Sequence, residues 1–263
     1  LNELSVDSLN AFTITNLSTA QIKGLDATAI ENLSTTQVQG FTTAQIGALS
    51  TTALETLNET GLQAWSTTQL AAVQAAQLAG LSTEALDDFS ATQLGALTTA
   101  QAQGLTTTQL NGLSAASLNA LNIARLSTAQ VAGLGATAIE TLSATQAQGL
   151  TAAQIAALST TALDAFTDTT LQAWSTTQIA ALGTAQLAGL SATAIDDFST
   201  TQLGALTTTQ VQGLTTTQLN GLSATSLNAL SITNLSSVQV AGLNATAAEK
   251  LSTTQVQGLT ATQ

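Results

Sequence analysis

Leu33-Ser34-Thr35-Thr36-Gln37-Val38-Gln39-Gly40 is one copy of an eight-residue unit that recurs, with small edits, along the whole 263-residue chain. Labelled a to h, the unit reads L-[S/T]-T-x-Q-[I/L/V]-x-[G/A]. Ser34 at b and Gln37 at e have the spacing of a capping box: the hydroxyl accepts from the backbone N–H three residues on, and the amide reaches back to the N–H of the cap. Leu33 precedes the cap and Val38 is the fourth helical residue, the two places of a hydrophobic staple. Gly40 at h suits the left-handed conformation that stops a helix. Each octad therefore reads as one short helix followed by a corner.

One uninterrupted helix is excluded by its own geometry. At about 100° per residue, eight residues rotate position a by about 80° from unit to unit, so no apolar stripe persists. A β-solenoid is the stronger rival because Thr and Val favour strands. The apolar positions a and f, however, alternate in steps of five and three residues rather than two, and Ala and Gln are abundant.

Across the 30 complete octads, a is always a large apolar residue, and f is Leu, Ile or Val in 27, with Ala at Ala102, Ala147 and Ala248. Both positions are predicted to point inward. Position b is Ser, Thr, Asp or Asn in 27 octads, and h is Gly or Ala in 24, small enough for successive turns or a tight corner to approach closely. Two buried aliphatic side chains contribute about 1.5 to 3 kcal/mol each. Ordering eight residues costs about 1 to 2 kcal/mol apiece, and so short a helix does not nucleate alone. Octads must therefore stack, and the predicted fold is all-α: an α-solenoid with one very short helix per octad.

Five-residue units at Phe12–Asn16, Leu121–Arg125 and Leu230–Asn234 interrupt the octads. Thirteen octads and one pentad make a longer period of 109 residues, in which Trp65 recurs as Trp174, Phe89 as Phe198, and Asp87/Asp88 as Asp196/Asp197. The chain thus divides into residues 1–16, the end of a preceding block; 17–125 and 126–234, two full blocks; and 235–263, the start of a third. We read it as a single continuous solenoid cut from a longer polypeptide, with the pentads as phase adjusters.

The number of octads per turn is read from the acids. Gln occupies e in 18 octads, and 14 of the 15 acidic residues lie in octads that lack it. Counting the Leu17 octad as zero, the octads without Gln in the first full block are numbers 1, 4, 5, 8 and 12. That spacing favours four octads per turn. Phe41, Trp65 and Phe89 are three octads apart and keep two or three as alternatives. Gln at e is expected to serve as the capping partner, with an amide ladder between turns as its other possible role.

Composition removes most function classes. With 3 Lys+Arg against 15 Asp+Glu the net charge is -12, which repels nucleic acid. Neither Cys nor His occurs, so the redox compartment is not fixed, and no side-chain base is available to activate the many hydroxyls. No catalytic, cofactor-binding or metal-binding residue is expected, and no enzyme. No apolar run is long enough to cross a membrane. Asp87/Asp88 with Glu84, and Asp196/Asp197, form acidic clusters that read as a charged, solvated face; calcium is the alternative, but the alternating oxygens and Gly bend of a calcium loop are absent. Trp65 and Trp174 sit at core position a and read as volume fillers rather than sugar platforms. Lys23, Arg125 and Lys250 are scattered, and Arg125 is expected to pair with an acid on a neighbouring turn. Positions b, c, d and g make the exposed face, a regular array of hydroxyls and amides.

LSTTQVQG at 33–40, LTTAQAQG at 97–104 and LTTTQLNG at 105–112 resemble the octapeptide arrays of giant secreted bacterial surface proteins, adhesin-like or subunits of tetragonal solenoid arrays. The resemblance implies a secreted, cell-surface structural role and transfers no functional residues. The expectation is a structural repeat protein whose partner is itself, assembling laterally or end to end into an extracellular filament, sheath or surface array, or serving as an adhesin stalk. The alternative is a ligand-binding module presenting its Thr-rich face to glycan or ice.

Overall fold

Serine or threonine at b starts a helix, and the corner at h, a and b ends it. The computed structural model describes residues 1–263 and contains only short helices, each four to six residues long in the α form, with no strand. Thr35–Gln39 is typical: Ser34 is the extended N-cap, its hydroxyl accepts from the Gln37 N–H at 3.3 Å, and the Gln37 carboxamide accepts from the Ser34 N–H at 3.1 Å. The chain then turns through an extended residue at a and another at b, as at Leu105 (φ -64, ψ 137) and Thr106 (φ -79, ψ 155).

The glycine at h does not use the left-handed region. Gly40 has φ -77 and ψ -5, and no residue of the chain has positive φ. At several of these glycines the neighbouring turn leaves no room for a side chain. A Cβ on Gly104 would lie 2.7 Å from the Ala75 Cβ and 2.9 Å from its carbonyl oxygen, and one on Gly112 would lie 2.7 Å from a Thr83 methyl. The small residue lets backbones approach, as position h suggested, but the corner itself is ordinary extended chain.

Two compact units divide the chain, Leu1–Gln130 and Val131–Gln263. In the first, Ala27–Glu31 packs on Thr51–Thr56, Thr35–Gln39 on Glu59–Gln63, Ala75–Ala79 on Thr99–Gly104 and Ala91–Ala96 on Ala115–Ala120. In the second, Ala144–Gly149 packs on Asp168–Gln172, Thr184–Gly189 on Thr208–Gly213 and Thr200–Gly204 on Ala224–Ala229. Every pair is three octads apart. Each unit is therefore a three-sided coil, and the expectation of four octads per turn is wrong.

The four-octad spacing of the octads without Gln at Leu49, Leu81 and Leu113 nevertheless has a physical origin. An acid at g lies at the end of one side, next to the corner, so one turn further on it faces the cap of the following side: one turn of three octads plus one step. Glu55 accepts from the Ser82 N–H at 3.0 Å, and Asp87 accepts from the Ser114 N–H at 3.1 Å and from its hydroxyl at 3.0 Å. In the second unit Asp196 does the same for Ser223, at 3.0 and 3.1 Å. These caps belong to octads with Ala or Ser at e, where no Gln reaches back to the cap N–H.

Positions a and f are buried in both units, among them Leu25, Ile46, Leu62, Leu94 and Leu105 in the first and Leu150, Ile179, Leu203 and Leu214 in the second. Trp65 and Trp174 are core fillers, each 3% exposed. Trp65 meets Phe41, one turn below, edge to face at 6.5 Å, and Trp174 meets Phe166 at 5.1 Å. The pentads keep their apolar first residue and replace the α-helix by a single 3₁₀ turn at Ile14–Asn16, Ile123–Arg125 and Ile232–Asn234.

Candidate interaction surface and its acidic corner

Gln at e holds consecutive turns together, a role that treating only a and f as inward had missed. Gln93 is 3% exposed, and all four hydrogen bonds of its carboxamide are made. Its oxygen accepts from the Ser90 N–H at 2.9 Å and the Ser90 hydroxyl at 3.1 Å, and its nitrogen donates to the Leu62 and Trp65 carbonyls at 2.8 and 2.9 Å. Those acceptors lie 31 and 28 residues back, at f and a of the turn below. The same bonds recur at Gln101 and Gln109 in the first unit and at Gln202, Gln210 and Gln218 in the second. The partner is backbone, so this is not the amide-on-amide ladder considered above; one Gln both caps its own helix and pins the carbonyl at the corner beneath it. The signal was present in the sequence, since a surface position has no reason to be Gln in 18 octads.

Cations take the same seat. Arg125 ends a pentad and does not pair with an acid; its guanidinium donates to the Gly95 carbonyl at 3.3 Å and, more closely, to the Leu97 carbonyl. In the second unit Lys250, from an octad with Ala at e, donates to the Leu222 carbonyl at 2.6 Å.

The acids gather at corners. Burial first, and then the carboxylates of Glu59, Asp87 and Glu55, push the Asp88 carboxyl above its ordinary range. In the second unit burial, then Asp168 and Asp196 together with a hydrogen bond to Asp168, raise Asp197 in the same way. Glu55 and Glu59 were not grouped with Asp88 in the sequence, where Glu84 seemed its neighbour; the coil brings them together from the turn below. Asp87 and Asp196 are engaged as caps, and no group of three or more acids is arranged to hold a metal ion.

What remains for a partner is the outward surface. Ser34, Thr35, Thr36 and Gln39 in the first unit, and Ser175, Thr176, Thr177 and Gln172 in the second, are exposed, as are most residues at b, c, d and g. Val238 at d is an apolar exception, 75% exposed. No helix is long and apolar enough to cross a membrane.

Comparison with known proteins fits this repetition. A family model described as the ALTTAQ repeat matches residues 14–51 and 179–216. Within the second segment, Ala205-Leu206-Thr207-Thr208-Thr209-Gln210 differs from those six letters at one place and spans h to e, from corner to pinning Gln. No curated protein matched. The chain is thus a repeat protein, all-helical and coiled within each unit.

Proposed function

We propose that this chain is a non-catalytic structural repeat protein that associates with copies of itself into an extracellular filament, sheath or surface array, or forms the stalk of an adhesin. The supporting observation is how the polar groups are used. Buried Gln, most caps and most corner carbonyls satisfy one another inside each unit, which leaves an outward face dominated by hydroxyls and amides, with carboxylates at some corners. Such a face favours many weak contacts in register over one strong contact.

The Thr-rich face as a lattice for glycan or ice has less support, because threonines at c serve the fold. Thr51 and Thr83 fill the space against Gly80 and Gly112 of the next turn, where an added Cβ would lie 2.7 Å from their methyl carbons. Negative-stain microscopy with sedimentation velocity at micromolar concentration tests the proposal: filaments, sheets or a concentration-dependent series of larger species are expected. Monodisperse single particles throughout would overturn self-assembly and leave only the stalk.

A further inference from the structure

The octad Leu57–Ala64 carries glycine at e, where Gln would pin the turn below. The carbonyls that a Gln there would reach, 31 and 28 residues back, are those of Ile30 and Leu33. Both residues line a cavity of ≈ 200 Å³, together with Glu31, Val38, Asn58 and Gly61. The neighbours have not collapsed into the space: a Cβ on Gly61 would sit 3.6 Å from Asn58 Oδ1, Leu57 Cδ2 and Val38 Cγ1, ordinary contact distances. The Leu33 carbonyl and the Asn58 N–H have no hydrogen-bond partner in the chain. Glu31 stands at g, where Glu55 and Asp87 stand in their own octads, but makes no cap bond, so its carboxylate is left for another partner.

The chain itself indicates which chemistry suits such a seat. Corner carbonyls elsewhere are taken by carboxamide nitrogen, by the Arg125 guanidinium and, in the second unit, by the Lys250 ammonium. At Gly61 a carboxylate is added to the carbonyls, and an adjoining depression is bordered by Glu31 and Glu55. The net charge of -12 concentrates cations at the surface. We propose that the Gly61 cavity binds a primary alkylammonium ion, its three N–H donors meeting the Ile30 and Leu33 carbonyls and the Glu31 carboxylate, with its alkyl stem against Val38 and Leu57. One long period on stands Thr170, buried and donating its hydroxyl to the Thr167 carbonyl at 2.7 Å, so the site belongs to the first unit.

The test is an amide-resolved NMR titration of the whole chain with n-butylammonium chloride, tetramethylammonium chloride and propionamide at constant ionic strength. Saturable shifts at Gly61 and Asn58 are expected with n-butylammonium at a Kd of about 1 to 10 mM, and none with tetramethylammonium, which has no N–H. Glu31→Gln weakens binding about tenfold. Gly61→Gln abolishes it while keeping or raising the unfolding midpoint, because the new amide occupies the seat. Gly61→Thr, the residue used at the matching place in the second block, abolishes it in a background the fold already accepts. A non-saturating response, an equal response to tetramethylammonium, tighter binding of propionamide than of n-butylammonium, or undiminished binding by Gly61→Thr would each overturn the proposal.

Discussion

If one Gln per octad both caps its helix and pins the turn below, its removal exposes two unlike defects, and one of them is repairable from a distance. Gln101 is 3% exposed; its oxygen accepts from the Thr98 N–H at 2.9 Å, and its nitrogen donates to the Leu70 and Val73 carbonyls, both at 2.8 Å. In Gln101→Ala the Leu70 carbonyl keeps a backbone donor, the Val73 N–H at 3.0 Å. The Val73 carbonyl and the Thr98 N–H are left with none. Each unsatisfied group costs about 1 to 3 kcal/mol, so a loss of about 2 to 6 kcal/mol is expected, less a few tenths for the better helix propensity of Ala. The repair follows from Asp87, which caps Ser114 from 27 residues earlier. The residue 27 before Thr98 is Ala71, exposed at g.

Ala71→Asp should therefore return about 1 to 2 kcal/mol in the Gln101→Ala chain, by restoring a charge-assisted bond to the Thr98 N–H. In the otherwise native chain, where that N–H is already satisfied, it should return little or nothing. The coupling is well above the few tenths of a kcal/mol by which independent sites depart from additivity. Urea unfolding followed by Trp65 fluorescence in a Trp174→Phe background reads the first unit alone, and exchange of the Thr98 amide reads the bond directly. A loss under about 0.5 kcal/mol for Gln101→Ala, or equal effects of Ala71→Asp in the two backgrounds, would refute the reasoning. Ala71→Asn, which adds no charge, separates the bond from general electrostatics.

Gly104→Ala should cost about 1 to 3 kcal/mol, since its Cβ meets Ala75 backbone at 2.9 Å, whereas Gly24→Ala, with nothing nearer than 3.5 Å, should be neutral or stabilising by about 0.4 to 1 kcal/mol; paired urea midpoints compare them. Trp65→Phe breaks a 2.8 Å bond from the indole N–H to the Val38 carbonyl and should cost about 1 kcal/mol or more, while Trp174→Phe removes a buried indole N–H without a partner and should cost less; both are read by circular dichroism melts. Asp88 and Asp197 have raised folded-state pKa values, so their contribution is fully present below the unfolded carboxylate range and is lost as pH rises through the raised values. Asp88→Asn should accordingly raise stability at neutral pH and flatten its dependence through the acidic range, and a pH series of melting midpoints would reveal the opposite slope.

Local chemistry was legible and closure was not. The helix start at Ser34, the burial of Leu33 and Val38 and the core position of Trp65 follow from residues within one octad, because caps and staples act over three or four positions. The number of octads per turn depends on contacts some 24 residues apart, which no local preference encodes. Two signals bore on it and disagreed. The octads without Gln at Leu49, Leu81 and Leu113, spaced by four, report a real contact from an acid at g of one to the cap of the next, but one that crosses a corner; the Phe41, Trp65 and Phe89 series, spaced by three, reports residues stacked along one edge of the coil. Side chains at the same position of an octad stack directly, and only that comparison gives the turn. The acids join g to b, 27 residues rather than 32, and counting octads instead of residues concealed the difference.

The pentads test this account, because they change the length of a turn without changing its bonds. Gln45, with three octads below it, donates 31 and 28 residues back to Ile14 and Leu17; Gln37, whose turn contains the pentad Phe12–Asn16, donates 28 and 25 residues back to Leu9 and Phe12. Gln130 in the first unit and Gln239 in the second show the same shift of three, across the other two pentads. The bonds from g to the cap N–H shift by the same amount, from 27 residues at Asp87 to 24 at Asn10, which accepts from the Ser34 N–H at 3.0 Å. A pentad is therefore one side of the coil shortened by about a helical turn, with its apolar first residue still in the core and its corner carbonyl still pinned. The coil tolerates the deletion because the hydrogen bonds that hold its turns in register are made mainly at and beside corners. A chain joined along its sides, as in a strand ladder, would lose register at that point.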